Sequence, residues 1–297
     1  MSNENQSKGA KGRGSGRGSR RRSGPRTNQR PSREQILEAW KPVTELGHKV
    51  KRGEVVSLDQ IFEMGEVIKE AQIVDVLHPD LHNDLLLIGQ AKGKFGGGKR
   101  RIFRQTQKKT REGNTIKFTT CAVVGNKNGY VGIALGKSKE TVPARDKAIA
   151  KAKLNLIKIR RGCGAWEGSA DVNSIPFAVQ GKCGSTIVTL FPAPKGTGLC
   201  IEKECAKILE AAGIQDIWSK TEGQTKTKVN LVFACIDALK KLSEMKIQTQ
   251  HVADLGIIEG SYGVKEAKPV IATPEEIQAE MQEEAKEVTE ATEVAAE

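Results

Sequence analysis

The residues of this chain best suited to chemistry are cations set beside turns and at one helix start. Arg104, Lys108, Lys109, Arg111 and Lys117 fall close together, Lys137, Lys139 and Arg145 surround the beginning of a helical pattern, and Arg160 and Arg161 are adjacent. Asn126, Lys127 and Asn128 occupy a turn flanked by Gly125 and Gly129. Such groups hold phosphates, because exposed N–H donors and the helix macrodipole add to side-chain charge. Basic faces are also commonly just solvated, and charge pattern alone does not separate the two readings.

Residues suited to catalysis are scarcer. Pro192-Ala193-Pro194-Lys195-Gly196-Thr197-Gly198 is a glycine loop between a predicted strand and a predicted helix. It partly resembles the phosphate loop of the metabolite kinases that include galactokinase and homoserine kinase. Leu199 and Cys200 stand where serines would hold phosphate and magnesium, however, and no Walker lysine pattern occurs. His48, His78, His82 and His251 have no evident partnership with a nucleophile. His78-Pro79-Asp80-Leu81-His82 has a metal-like spacing that Pro79 disrupts, and the six cysteines show no Cys-x-x-Cys pair. The expectation is no enzyme, no cofactor, no metal and no small-molecule substrate.

The positioning elements can be read from periodicity. Ile116, Phe118, Thr120, Ala122 and Val124 alternate with Lys117, Thr119, Cys121 and Val123, which predicts a strand with one face on a core. Gly125 to Gly129 then turns the chain, and Tyr130 to Leu135 returns as the partner strand. A helix is predicted with Thr141 as N-cap, Pro143 in its first turn, and Val142, Ile149, Ala152 and Leu156 inward. Upstream, Ser57 with Gln60 forms a capping box, Gly65 ends that short helix, and Glu66 to Leu77 reads as an amphipathic helix with Val67 and Ile68 inward. Downstream, strands at Phe177–Val179 and Ser185–Phe191 flank a turn at Gly181–Gly184, and another strand covers Ile214 to Trp218. Helices are predicted from Glu202 to Ala212 and from Val229 to Leu242.

The chain has 297 residues and a formal charge of +12, which favours an acidic partner. Met1 to Arg33 carries +9 in a Gly/Ser/Arg-rich stretch too poor in apolar residues to fold, and Thr273 to Glu297 carries −8. The first reads as a disordered basic arm on RNA or a solubilising tail, the second as a frayed or disordered acidic tail. Aromatic content of 4% argues against a base-stacking surface and suits duplex backbone recognition. No apolar run approaches a membrane span.

Gly113 with Phe118, Val124-Gly125-Asn126, Gly129-Tyr130-Val131-Gly132 and Asp146 to Ala152 resemble the signature of one small-subunit ribosomal protein family, the fifth in the bacterial count and second in the eukaryotic. Trp40 to Gly47, Arg160 to Gly164 and Pro192 to Gly198 resemble its archaeal and eukaryotic branch. The resemblance implies an α+β protein. A helical extension at 34–65 would precede a double-stranded-RNA-binding-like domain at 66–165, with a three-stranded antiparallel sheet and two helices. A second α/β domain at 172–247 and an extension at 248–272 would follow. It implies ribosomal RNA contact near the messenger entrance, and neighbouring small-subunit proteins and messenger RNA as partners in a cytoplasmic ribosome. The cations named above would neutralise phosphates, with Arg160 and Arg161 clamping RNA at the domain join and Lys182, Ser185, Lys195 and Thr197 as weaker contacts. Lys92 to Arg104 resembles an insertion, and Gly168 with Ser169 stand where some relatives carry cysteines. The alternatives are a metabolite kinase and a free-standing double-stranded RNA binder.

Overall fold

The computed structural model describes residues 40–91, 93, 99–164 and 172–261. The basic arm, residues 92 and 94–98, Gly168 with Ser169, and the acidic tail lie outside the described residues.

Among the described residues three short helices come first: α1 (Glu45–Arg52), α2 (Leu58–Met64) and α3 (Ala71–Leu77). Thr44 caps α1, and Ser57 with Gln60 forms the full capping box at α2, which ends on left-handed Gly65. The helix expected from Glu66 starts only at Ala71, with Glu70 as an extended N-cap. Glu70 has other partners: its carboxylate accepts from Trp40 Nε1 (2.8 Å), Val43 N (2.9 Å) and Thr44 N (2.7 Å), tying the approach to α1 against this segment. Ile68 is buried as expected, whereas Val67 is exposed.

The first sheet has five strands rather than the three expected, β1 (His82–Leu86), β2 (Arg104–Thr110), β3 (Gly113–Gly125), β4 (Tyr130–Ser138) and β5 (Leu156–Lys158), because β3 is long enough to pair β1 and β2 in succession along one edge and β5 adds beyond β4; α4 (Thr141–Leu154) joins the last two strands. Its axis is β3. Strand β1 pairs with the C-terminal part of β3, from His82↔Gly125 to Leu86↔Cys121, and β2 pairs with the N-terminal part, from Arg104↔Thr119 to Thr110↔Gly113. Pairing with β4 ends at Phe118↔Ser138, so beyond it β2 and β3 continue as a two-stranded ribbon.

The alternation in β3 is real, but its expected single core is two. Every residue from Thr120 to Gly125 is buried. Ala122 and Val124 join Ile73, Val74, Ala148 and Ala152 on one side, while Cys121 and Val123 join Ile208, Leu209 and Leu239 on the other. Helix α4 also differs from expectation: Glu140 is its N-cap, its packed face is Ala144, Ala148 and Ala152, Val142 is exposed, and Leu156 belongs to β5. The cause lies in β4. A Cβ on Gly136 would collide with Ala144 O and Ala148 N, and one on Gly132 with Ala152 O, so helix backbone rests directly on strand and leaves room for nothing larger than alanine.

The second half comprises β6 (Arg160–Arg161), β7 (Val179–Cys183), β8 (Thr186–Pro192), β9 (Leu199–Cys200), α5 (Lys203–Ala212), β10 (Ile217–Glu222), α6 (Lys228–Glu244), α7 (Thr249–Asp254) and β11 (Ile258–Glu259). Its four-stranded sheet has the order β7-β8-β10-β9, antiparallel except for β9 with β10, and β6 pairs separately with β11. Both longer helices match the reading from periodicity, with Gly213 as the left-handed C-cap of α5. The turn expected at Gly181 is instead strand, because a Cβ there would collide with Ala234 O of α6, and the chain turns at left-handed Gly184. Strand β10 runs later than the Ile214 to Trp218 expectation, reaching Glu222.

Replacing Gly136 by alanine should lower stability by about 3 kcal/mol in denaturant titration. Gly65→Ala, at φ +69 with nothing nearby, should cost about 1 kcal/mol. Equal losses would contradict the contact between α4 and β4.

Candidate nucleic-acid interface

Register decides which cations meet. Opposite residues share a face, so Arg104↔Thr119, Thr106↔Lys117 and Lys108↔Thr115 lie on one side of the ribbon, and Thr119↔Lys137 extends that side onto β4. Arg104, Lys108, Lys117 and Lys137 thus form one cationic face, along a strand of roughly 20 Å. Lys109 lies on the reverse face with Asn114 and Ile116, and Arg111 occupies the turn. All six cations are exposed and make no ion pair among the described residues. Some cations elsewhere are engaged, as in Lys153–Asp75 (2.5 Å) and Lys158–Asp59 (2.8 Å).

The start of α4 adds Lys139 and Arg145, both exposed, and no side chain caps its first-turn N–H groups. Arg145 sits 3.1 Å from Asp146, but both are about half exposed or more, so the pair is weak and exchangeable.

The hairpin tip is built differently from expectation. Its N–H groups do not face solvent: Lys127 N donates to Ala211 O and Gly129 N to Ala212 O, both at 2.9 Å. The last carbonyls of α5 need donors, and the tip supplies them. Asn126 Oδ1 accepts from Asn128 N (2.8 Å) and Tyr130 N (3.1 Å), while Asn128 Nδ2 donates to Ser261 Oγ (3.1 Å). Lys127, at φ +59, keeps an exposed side chain.

Arg160 and Arg161, expected to clamp RNA, are turned inward. Arg161 is 5% exposed; its Nη2 donates to Asn128 Oδ1 (2.6 Å) and Gly260 O (3.1 Å), and burial lowers its pKa. Arg160 donates to Glu259, to Leu242 O (3.2 Å) and to Met245 O. Sequence does not distinguish an arginine that satisfies buried carbonyls from one that meets a phosphate.

Residues 102–160 match the family model of the ribosomal protein S5 N-terminal domain, and residues 181–253 that of the ribosomal protein S5 C-terminal domain. Small ribosomal subunit protein uS5 of Nanoarchaeum equitans is 46% identical over 226 residues, covering 76% of this chain and 97% of the relative. The Methanocaldococcus jannaschii protein of the same name is 41% identical over 225 residues, covering 75% and 97%, and that of Methanosphaera stadtmanae 42% over 224 residues, covering 75% and 92%. The chain belongs to the uS5 family. These three relatives are archaeal, in keeping with the branch its motifs resemble.

In this uS5 chain the weaker second-half positions do not form one patch. Lys182 and Ser185 flank the β7–β8 turn, while Lys195 and Thr197 follow β8 at the opposite end of the sheet. The glycine loop is also already filled. Gly198 N donates to Asp216 Oδ1 (2.7 Å) and Asn173 Nδ2 to Asp216 Oδ2 (2.8 Å). Burial alone would raise the pKa of Asp216, but Asn173 and the N–H groups of Gly198, Gly196 and Thr197 together hold it below the ordinary 3.8. Donors that could cradle a phosphate therefore enclose the protein's own carboxylate. Sequence reasoning missed Asp216, although a lone acid among Ile214, Ile217 and Trp218 was an available signal. Burial and then the charge of Glu204 push the Cys121 thiol up to about 12, leaving no reactive thiolate there. Among the described residues no three His, Cys, Asp or Glu side chains form a metal-holding group.

Asp216→Asn should cost roughly 2–3 kcal/mol by weakening buried charge-assisted bonds. Because the folded pKa is depressed, the parent's Asp216 contribution is present at neutral pH and fades as pH falls through and below 3.8. Acid unfolding curves should converge there, and a constant gap down to pH 2 would contradict the assignment.

Proposed function

We propose that the chain is a structural constituent of the small ribosomal subunit in the cytoplasm, binding ribosomal RNA and catalysing no reaction. The observation that carries this reading is the β2–β3 ribbon, with exposed, unpaired cations on both faces and at its turn. The names and coverage of the archaeal relatives supply the subunit. No helix among the described residues is long and apolar enough to cross a membrane.

The order α3, β1 to β4, α4 supports a double-stranded-RNA-binding-like first domain, with the second α/β domain beyond residue 172. Arg104, Lys108, Lys109, Arg111, Lys117 and Lys137 neutralise phosphates, joined by Lys127 from the tip and by Lys139 and Arg145 at α4. These are backbone contacts, since A-form RNA hides its major-groove base edges from side chains. Arg160 and Arg161 act by holding the halves together. Lys182 with Ser185, and Lys195 with Thr197, are separate weaker contacts. Exposed Phe191 and Trp218, opposite one another across β8 and β10, offer a surface for neighbouring subunit proteins. The family resemblance implies a place beside the messenger entrance, with effects on decoding accuracy.

Combined Lys108→Glu, Lys109→Glu and Arg111→Glu should cut incorporation into small subunits at least tenfold in gradient sedimentation of cell lysates. The salt dependence of RNA binding should become shallower by about 0.7–0.9 log units for each phosphate that is no longer neutralised. Unchanged incorporation would refute the ribbon as an RNA contact.

A further inference from the structure

A second basic concavity adjoins the base of the ribbon, between residues 88–90 and 100–105 on one side and the start of α6 on the other. It encloses about 410 Å³. One wall is a short antiparallel ribbon in which Gly89 N donates to Arg101 O (2.8 Å), Arg101 N to Gln90 O (3.2 Å), and Ala91 bridges Arg100. The other is the entrance to α6, with Lys226, Thr227, Lys228 and Val229. Arg100 Nη2 reaches Lys226 O at 3.4 Å and spans the two.

Among the described residues its lining is cationic and contains no acid. Arg101, Arg104 and Lys226 are exposed and make no ion pair among the described residues, whereas Lys228 is paired with Glu202 at 2.9 Å and adds little net charge. Ile88, Phe103 and Val229 supply the apolar part of the lining. A lone phosphate needs far less room, and a cleft of this size suits a group as large as a small-molecule ligand. A base held in a duplex cannot enter such a cleft; an unpaired one can be splayed out and stacked on an aromatic ring. Arg100 and Arg101 precede the segment that matches the family's N-terminal domain, whereas Phe103 lies within that segment and Lys226 to Val229 within the C-terminal match.

We infer that this cleft takes one unpaired nucleotide of RNA, with its base against Phe103 and Val229 and its phosphate among Arg100, Arg101 and Lys226. The inference rests on the RNA-binding reading for the choice of polymer, but not on the ribbon.

Two probes separate the sites: a six-nucleotide oligouridylate and an RNA duplex of about 16 base pairs, each titrated against the full chain by fluorescence anisotropy. Arg100→Glu with Arg101→Glu should weaken hexamer binding about tenfold and leave duplex binding within about twofold, while Lys108→Glu with Lys109→Glu should do the reverse. Phe103→Ala should weaken the hexamer about fivefold without changing its salt slope, as loss of stacking does and loss of charge does not. Lys226→Glu, on the facing wall, provides an independent check should the arginine variant melt early, with an expected loss of about fivefold. Hexamer affinity unchanged in the arginine and Lys226 variants, or lowered equally by the ribbon variant, overturns the cleft. A parent that binds hexamer through Arg100 and Arg101 but ignores duplex supports the cleft and removes the ribbon.

Discussion

Two carbonyls at the end of α5, those of Ala211 and Ala212, take their hydrogen bonds from the backbone of the β3–β4 turn, and the rest of the architecture follows from that seating. The clearance is small on every side. A Cβ on Gly125 would strike Ala211, one on Gly129 would strike Gly260, and one on Gly213 would strike Lys127 O. Arg161 closes the same junction from below through Asn128 and Gly260. Helix C-termini need donors and buried backbone must be paired, so this contact answers two requirements at once. It also forces the C-terminal part of β3 to be covered on both faces, with the helices of the first half on one side and the second half on the other.

Function then divides along the length of one strand. At its buried end β3 anchors both cores, while at its other end it leaves the sheet beside β2 with cations facing outward. Ionic partners follow the same division: Lys153 and Lys158 are matched by Asp75 and Asp59 where the body packs, but the ribbon carries no carboxylate except Glu112 in its turn. A long rigid anchor keeps the exposed charges in fixed register, which suits recognition of a polyanion by shape rather than by sequence.

Much of this was legible in the sequence where a residue has one dominant local role. Ser57 with Gln60 starts a helix, Gly213 ends one, and the Gly125 to Gly129 turn lies where its residue types place it. Glycines were harder, because a glycine that turns the chain and a glycine that admits another backbone look alike. Gly181 and Gly136 are the second kind. The apolar run Cys121-Ala122-Val123-Val124 carried the signal for a strand buried on both faces, which its period-two pattern obscured. At the candidate site the cations of the ribbon were singled out through the family resemblance, while their common face follows only from the pairing of β2 with β3. The inward turn of Arg160 and Arg161 was not, since their carbonyl and carboxylate partners come from distant segments, nor was the filling of the glycine loop by Asp216.

The most direct measurement of this division is amide hydrogen exchange on the free protein and on the same protein assembled into small subunits. Residues 104–119 should exchange fast when free and gain protection on assembly, while 125–130 should be protected already and change little. A tip that exchanges fast when free and is protected only on assembly, beside a ribbon that does not change, would contradict the assignment of anchor and RNA contact to opposite ends of β3.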